Sequence, residues 1–478
     1  MPKPPAEDLE AFLRRLDASD LVAVLLDIAG SHDDVRARLA RMQLADRPDK
    51  LAAGFRRTLS GWRRSKRAIG YRDARDFGHA LEEWLDQVAH ELLPKDPLAA
   101  LSLFETFIEA DAAWFERADD SDGVIGNAVR AACRRWLEAA ARCEPPPGGW
   151  PDRLLALYLA DEYGAREPLL RQASMLLDEP AQRALVTRFE VELSRILDSV
   201  PRGKHLPPEL HHVSGALGLL AESLRDPDID VRATLRYSPE PNPNQRQSFV
   251  RAYLDADRAA DALAWLDGSW GHLERSRQAL LAETLEHLGR HGESAPIRQR
   301  LFERTLDDIH YQHWLECLPA SARGEATARA RTVALGHDEV AAAAEFLLTL
   351  GDAAAAEQKL LVDAARIDGN DYVRLAPLAR TLHACECLRG EIAVLRALTR
   401  AILDRGYTRA YGHAGRYWSR MVAIAESGAD LRPLPSHAEF EAEIRSRHAR
   451  KASFWTRAES ARHDPRGSRD DGDDPEEA

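Results

Sequence analysis

Apolar residues recur every three or four positions along almost all of this 478-residue chain, and small clusters of glycine, proline and aspartate cut that rhythm into lengths suited to helices. The phase predicts an all-α fold. Leu9, Phe12, Leu13 and Leu16 open the series. Residues 21–29 follow, with Ser19 or Asp20 as cap and Gly30 as stop. Ser31 or Asp33 opens a third helix through Val35, Leu39 and Met42, and Leu51, Phe55, Leu59 and Trp62 mark a fourth. Phe77, Leu81, Trp84, Leu85, Val88 and Leu92 continue the pattern until Pro94. Abundant Ala, Leu, Arg and Glu agree with it, because these side chains lose little rotamer freedom in a helix.

The chain is longer than one hydrophobic core usually supports. Its strongest interruption is Cys143-Glu-Pro-Pro-Pro-Gly-Gly-Trp-Pro151, where consecutive prolines lack amide donors. A boundary there gives an N-terminal helical bundle (1–143) and a middle helical segment (150–237). Ser238-Pro-Glu-Pro-Asn-Pro-Asn244 closes that segment and opens a repeat region, 245–458. Within it, helices are expected as short-turned pairs: 249–254 with 259–266, 278–288 with 295–306, 340–350 with 353–365 across Gly351-Asp352, and 372–388 with 391–403 across Arg389-Gly390. Around Asp257, the spacing of Tyr253, Ala262 and Leu266 is a degenerate tetratricopeptide pattern. The expected architecture is an irregular TPR-like helix-pair solenoid behind the N-terminal bundle. Residues 459–478 read as a disordered acidic tail, since they offer no apolar face.

Asp20-Leu-Val-Ala-Val-Leu-Leu-Asp-Ile-Ala29, Asp119-Asp-Ser-Asp-Gly123, Ala260-Asp-Ala-Leu-Ala-Trp-Leu266, Arg300-Leu-Phe-Glu-Arg-Thr305, Tyr411-Gly-His-Ala-Gly-Arg-Tyr417 and His448-Ala-Arg-Lys-Ala-Ser-Phe-Trp455 resemble an uncharacterised bacterial family of helical proteins, a domain of unknown function. The C-terminal half is also similar to the helical region that follows SWIM zinc fingers, although the finger pattern itself is missing. The resemblance implies a helical fold and carries no catalytic residue or zinc role.

Several clusters invite chemistry. His383-Ala-Cys385-Glu-Cys387 has zinc-ligand types, but residues two apart on a helix diverge around its axis, which favours buried small side chains. His287 and His291, with Glu283 nearby, have helical metal-site spacing without an HExxH order; His310 and His313 form a second pair. Asp119-Asp-Ser-Asp-Gly123 resembles part of a calcium loop in the wrong register, with Ala118 and Val129 where acids belong, so these acids are expected to cap the helix starting near Val124. No cofactor is expected, and no nucleotide-binding, kinase or hydrolase motif is present.

Arg56, Arg57, Arg63, Arg64, Lys66, Arg67, Arg72 and Arg75, interleaved with Trp62 and Tyr71, form the densest basic stretch. The net charge of -13 nevertheless argues against generic nucleic-acid binding. Tyr407, Tyr411, His413, Arg416, Tyr417, Trp418, Lys451 and Trp455 form the candidate partner-binding region. Two readings stand: a packed lid on the solenoid's end, or a groove whose aromatic and basic side chains anchor a peptide. Five dispersed cysteines suit reduced thiols, and neither an export signal nor a membrane span is expected, which places the chain in the cytoplasm. The expected function is a helical-repeat scaffold or adaptor binding a protein or peptide. An enzyme with a site assembled between helices, or a nucleic-acid module using 56–75, is the alternative.

Overall fold

A computed structural model describes residues 11–44, 46–201 and 205–463; Leu9 and residues 464–478 of the expected tail lie outside them. Among these residues every regular element is a helix, and pairing of the β type is confined to one isolated parallel bridge between Ile69 and Ala118. No described helix is long and apolar enough to cross a membrane. Two compact units meet in sequence at Ala256 and Asp257.

The first unit contains α1 (Ala18–Ser31), α2 (Asp33–Met42), α3 (Pro48–Arg64), α4 (Tyr71–Gln87), α5 (Pro97–Ile108), α6 (Asp111–Phe115), α7 (Val124–Ala140), α8 (Gly149–Leu159), α9 (Pro168–Arg171), α10 (Glu179–Ser199), α11 (Pro208–Leu224), α12 (Asp228–Tyr237) and α13 (Pro243–Asp255). Local chemistry sets the ends. Asp17, Asp96 and Asp178 each accept a backbone N–H three residues on, satisfying donors that the first turn leaves orphaned. Thus α1 starts earlier than Ser19 or Asp20 would have it. It also runs through Gly30, because the Arg36 guanidinium donates to the Ala29 and Gly30 carbonyls and satisfies that end.

α4 and α5 both pack on α7. Gly78 permits the approach of α4, since a β-carbon there would lie 2.9 Å from Val124 Cβ. One core runs from Leu51 to Ala233, with Phe104, Phe107, Trp114, Trp136 and Phe189 wholly enclosed. It crosses the proline-rich stretch without a break: Trp150, just beyond the prolines, meets Trp136 edge-on at 5.7 Å. A buried ion pair ties its parts together. Arg166 donates through Nε and Nη2 to Asp111 at 2.8 Å each, and through Nη1 to the Leu157 carbonyl at 2.8 Å.

The second unit contains α14 (Ala259–Leu263), α15 (Glu274–His287), α16 (His291–Thr305), α17 (Asp308–Glu316), α18 (Ala320–Gly336), α19 (Val340–Thr349), α20 (Ala353–Val362), α21 (Tyr372–Ala384), α22 (Leu388–Arg405), α23 (Tyr411–Glu426), α24 (His437–His448) and α25 (Ala452–His463). The hairpins α15/α16, α19/α20 and α21/α22 are all packed pairs. Gly289 and Gly351 make two of the turns at positive φ, 70° and 75°, where a side chain would be strained. The α21/α22 turn lies at Cys385–Cys387, earlier than Arg389-Gly390. Glu386 adopts φ 56° there, and the Cys387 N–H closes back on the Leu382 carbonyl at 2.9 Å.

Asp111 and Arg166 expose 1% and 3% of their surface, so removing one partner leaves a desolvated charge. Asp111→Ala should lower the stability of the first unit by about 3–5 kcal/mol in urea unfolding. A loss below about 1 kcal/mol would show that the pair is not essential.

Candidate functional site

The aromatic and basic residues at the C-terminal end are sorted by burial. α23 turns Tyr411 and Trp418 toward α25 and α24, and the Trp418 ring lies 5.3 to 5.8 Å from those of Trp455, Phe440 and Phe454. Gly415 lets the helices close, because a β-carbon there would come 3.3 Å from the Arg457 backbone. The Trp455 indole donates to the His448 carbonyl at 3.1 Å, and Arg445 lies over its ring at 4.0 Å. Lys451 donates to the Leu403 carbonyl, where a cation favourably meets the end of α22. Tyr417 is half-buried, and burial pushes its phenol up. Of the eight residues, Tyr411, Trp418 and Trp455 are therefore interior, while Tyr407, His413 and Arg416 are exposed. Arg416 Nη2 lies 3.0 Å from His413 Nδ1.

The polar cluster with most catalytic residue types is one the sequence pattern did not assemble. Glu286 on α15 accepts from Ser294 at 2.6 Å and from Arg298 at 2.7 and 2.8 Å, with His313 Nδ1 at 3.3 Å and Cys317 Sγ at 3.6 Å. His310 Nδ1 stands 3.3 Å from Arg298. The chemistry is that of a clasp. Ser294 donates to a carboxylate already committed to a guanidinium, and burial pushes the Cys317 thiol up, away from the thiolate a nucleophile needs. His287 and His291 lie apart from it, exposed on successive helices across the Gly289 turn, so they share no helical face. Cys385 is exposed and Cys387 is buried with its thiol toward the Ala353 carbonyl; both occupy a turn, not the helix assumed for them. Among the described residues no three His, Cys, Asp or Glu side chains gather in a metal-binding geometry.

At the start of α7 the capping acid is Asp120. Its two oxygens accept from the Ile125 and Gly126 N–H groups at 2.8 and 2.9 Å. Asp122 instead accepts from the Tyr71 hydroxyl at 3.0 Å and pairs with Arg75 at 3.4 Å, fastening α4 to this loop. In the basic stretch, Arg67 and Arg75 are drawn to Asp73 and Asp122, whereas Arg56, Arg57, Arg63, Lys66 and Arg72 are exposed with no ion pair among the described residues.

An apolar groove of about 480 Å³ lies in the first unit. Phe55, Trp62 and Trp84 form its aromatic wall, with Trp84 6.1 Å from each of the other two rings. Ala37 and Ala40 on α2, Gly54 on α3 and Ala80 on α4 keep it open. Arg41 and Glu83 bring charge to its lining, and Arg41 is held by Glu91 at 2.9 Å. A wider depression of about 630 Å³ between α10 and α12 is shallower, and Arg232 and Arg236 close on Glu190 within it. Helical periodicity marks the large residues of the first groove, Leu51, Phe55, Trp62 and Trp84, as helix faces. It could not show that small residues on three helices coincide to leave a space.

Two outcomes test these assignments. Asp120→Ala should cost about 0.5–2 kcal/mol without any calcium dependence, and a smaller loss or a calcium-dependent shift in stability would overturn the assignment. The Glu286 carboxyl is held below its ordinary value: burial pushes it up, but the Arg298 and Ser294 hydrogen bonds and the Arg298 and His313 charges outweigh that. A depressed carboxyl contributes its stability above the unfolded value of about 4.3 and loses it as pH falls through the folded value. Glu286→Gln should therefore be less stable at neutral pH and show a flatter decline between about pH 5 and about pH 3; parallel profiles would refute the assignment.

No curated protein and no solved structure matches the chain. Residues 9–457 match a family of unknown function, DUF6880. Spanning nearly the whole sequence, it covers both units, and the chain belongs to that family.

Proposed function

We propose that the chain is a helical-repeat scaffold or adaptor that binds a protein or peptide partner through the α2–α4 groove. The observation that carries this reading is an open space walled by Phe55, Trp62 and Trp84 and lined by alanine and glycine, so that side chains from outside fit without displacing any large residue. Aromatic walls give much apolar contact for little lost entropy, and a groove between helices takes the apolar face of another helix. The packed hairpins of the second unit support a degenerate tetratricopeptide-like repeat reading for that half. Tyr407, His413 and Arg416 are the part of the C-terminal region open to a partner.

The test uses a photo-crosslinking amino acid at Thr58, an exposed residue lining the groove. Irradiation in cells is expected to give a discrete crosslinked product that mutation of the groove abolishes. A diffuse smear, or a product indifferent to groove substitutions, would defeat the proposal.

A further inference from the structure

Arginine keeps its proton in a folded protein, so a ring nitrogen facing a guanidinium can only accept a hydrogen bond from it. Arg298 and His310 make such a contact, with Arg298 Nη1 at 3.3 Å from His310 Nδ1. The ring is therefore neutral in this arrangement, with its proton on Nε2. Arg298 cannot turn away to relieve the constraint. It is 5% exposed, and Glu286 holds its Nε and Nη2 at 2.7 and 2.8 Å.

The contact fastens a corner of the second unit. On its apolar side α17 is seated by Tyr311 and Trp314, whose rings lie 5.5 and 6.1 Å from that of Phe302 on α16, and Tyr311 is 5.0 Å from Phe346 on α19. On its polar side His310, His313 and Cys317 fall on one stripe. His310 meets Arg298, while His313 Nδ1 and the Cys317 thiol lie 3.3 and 3.6 Å from Glu286. We propose that this corner is a proton-sensitive hinge: protonation of His310 sets a cation against the buried Arg298 and moves the polar face of α17 off α15 and α16, while the aromatic face stays seated. Proton uptake is thereby coupled to the packing of three consecutive helices.

The charged groups acting on the ring come from each neighbouring helix. Burial is the largest influence and opposes the charged form, as do Arg298 and His313; Asp307 and Glu286 favour it, and the balance holds the ring below its ordinary value. The Cys317 thiol, pushed up by burial, stays protonated. From α18 the Tyr311 hydroxyl meets Thr327 at 2.8 Å, a group that does not titrate. A ring held low carries no penalty above about pH 6.5, where it is neutral in open and closed forms alike; below that, the open form takes a proton that the closed form refuses. The loss therefore begins at a higher pH than that of the depressed Glu286 carboxyl.

Hydrogen exchange of the full chain, read by mass spectrometry on peptides covering α17 and corrected for the intrinsic rate, tests the hinge at about pH 7.5 and about pH 5.5. His310→Gln keeps an oxygen to accept from Arg298 and cannot titrate; His313→Gln removes the neighbouring ring instead. The expected wild-type exchange of α17 accelerates several-fold in acid, with a ceiling of about tenfold at one pH unit below the ordinary imidazole value. His313→Gln keeps that acceleration and His310→Gln loses it, while matching the wild type at the higher pH. Peptides from α19 and α20 hold steady as the internal reference. Unchanged wild-type protection of α17, an acceleration that His310→Gln retains, or a loosening shared equally by α19 and α20 overturns the proposal.

Discussion

The structure depends on one geometric constraint: a helix hairpin has more apolar surface than its own two helices can cover. Each hairpin must lean on the next. In the first unit α7 is covered by α4 and α5, and the core continues from Leu51 to Ala233 through helices that are consecutive in sequence. In the second, α20 packs on α22 and α22 on α23, so each element buries what its predecessor leaves open. Burial of this kind is nondirectional and fixes adjacency without fixing register.

Register comes from buried charge. Arg166 and Asp111 join the α5–α6 corner to the loop before α9, and Arg166 also takes carbonyls from Ile108 and Leu157. The second unit repeats the device between neighbouring helices. Glu286 holds Arg298, and Glu391 holds Arg420 at 2.7 Å. Glu357 accepts the Arg389 and Gly390 N–H groups at 3.0 and 3.2 Å, so a carboxylate on α20 caps the start of α22. A carboxylate without its cation in such a place would be strongly unfavourable, which makes each clasp a selector of one packing over its slipped alternatives.

The same accounting separates the two candidate surfaces. The C-terminal aromatic residues satisfy one another: Trp418 is ringed by Phe440, Phe454 and Trp455, and Lys451 ends on a backbone carbonyl. At the other end of the chain the balance is reversed, because α1 exposes valines and leucines that α2 alone cannot cover, and the α2–α4 groove keeps an aromatic wall open. Hydrophobic surface that the unit does not consume internally is what remains for another molecule.

The all-helical class, the positions of most helices and the pairing around Gly351 were legible in the sequence, because 3.6-residue periodicity and helix-ending residues are local properties of the chain. Local chemistry also misled at particular residues. Asp122 and Asp120 are equivalent by composition, and only the loop's path decides that Asp120 meets the amides of α7 while Asp122 meets Tyr71. His287 and His291 have the spacing of one helical face, and Gly289 places them on two helices. The Glu286 clasp, the burial of Trp418 and Trp455 and the space beneath Ala37, Ala40, Gly54 and Ala80 belong to tertiary structure alone. They are set by which helix faces meet, and periodicity gives the direction of a face without naming what it will touch.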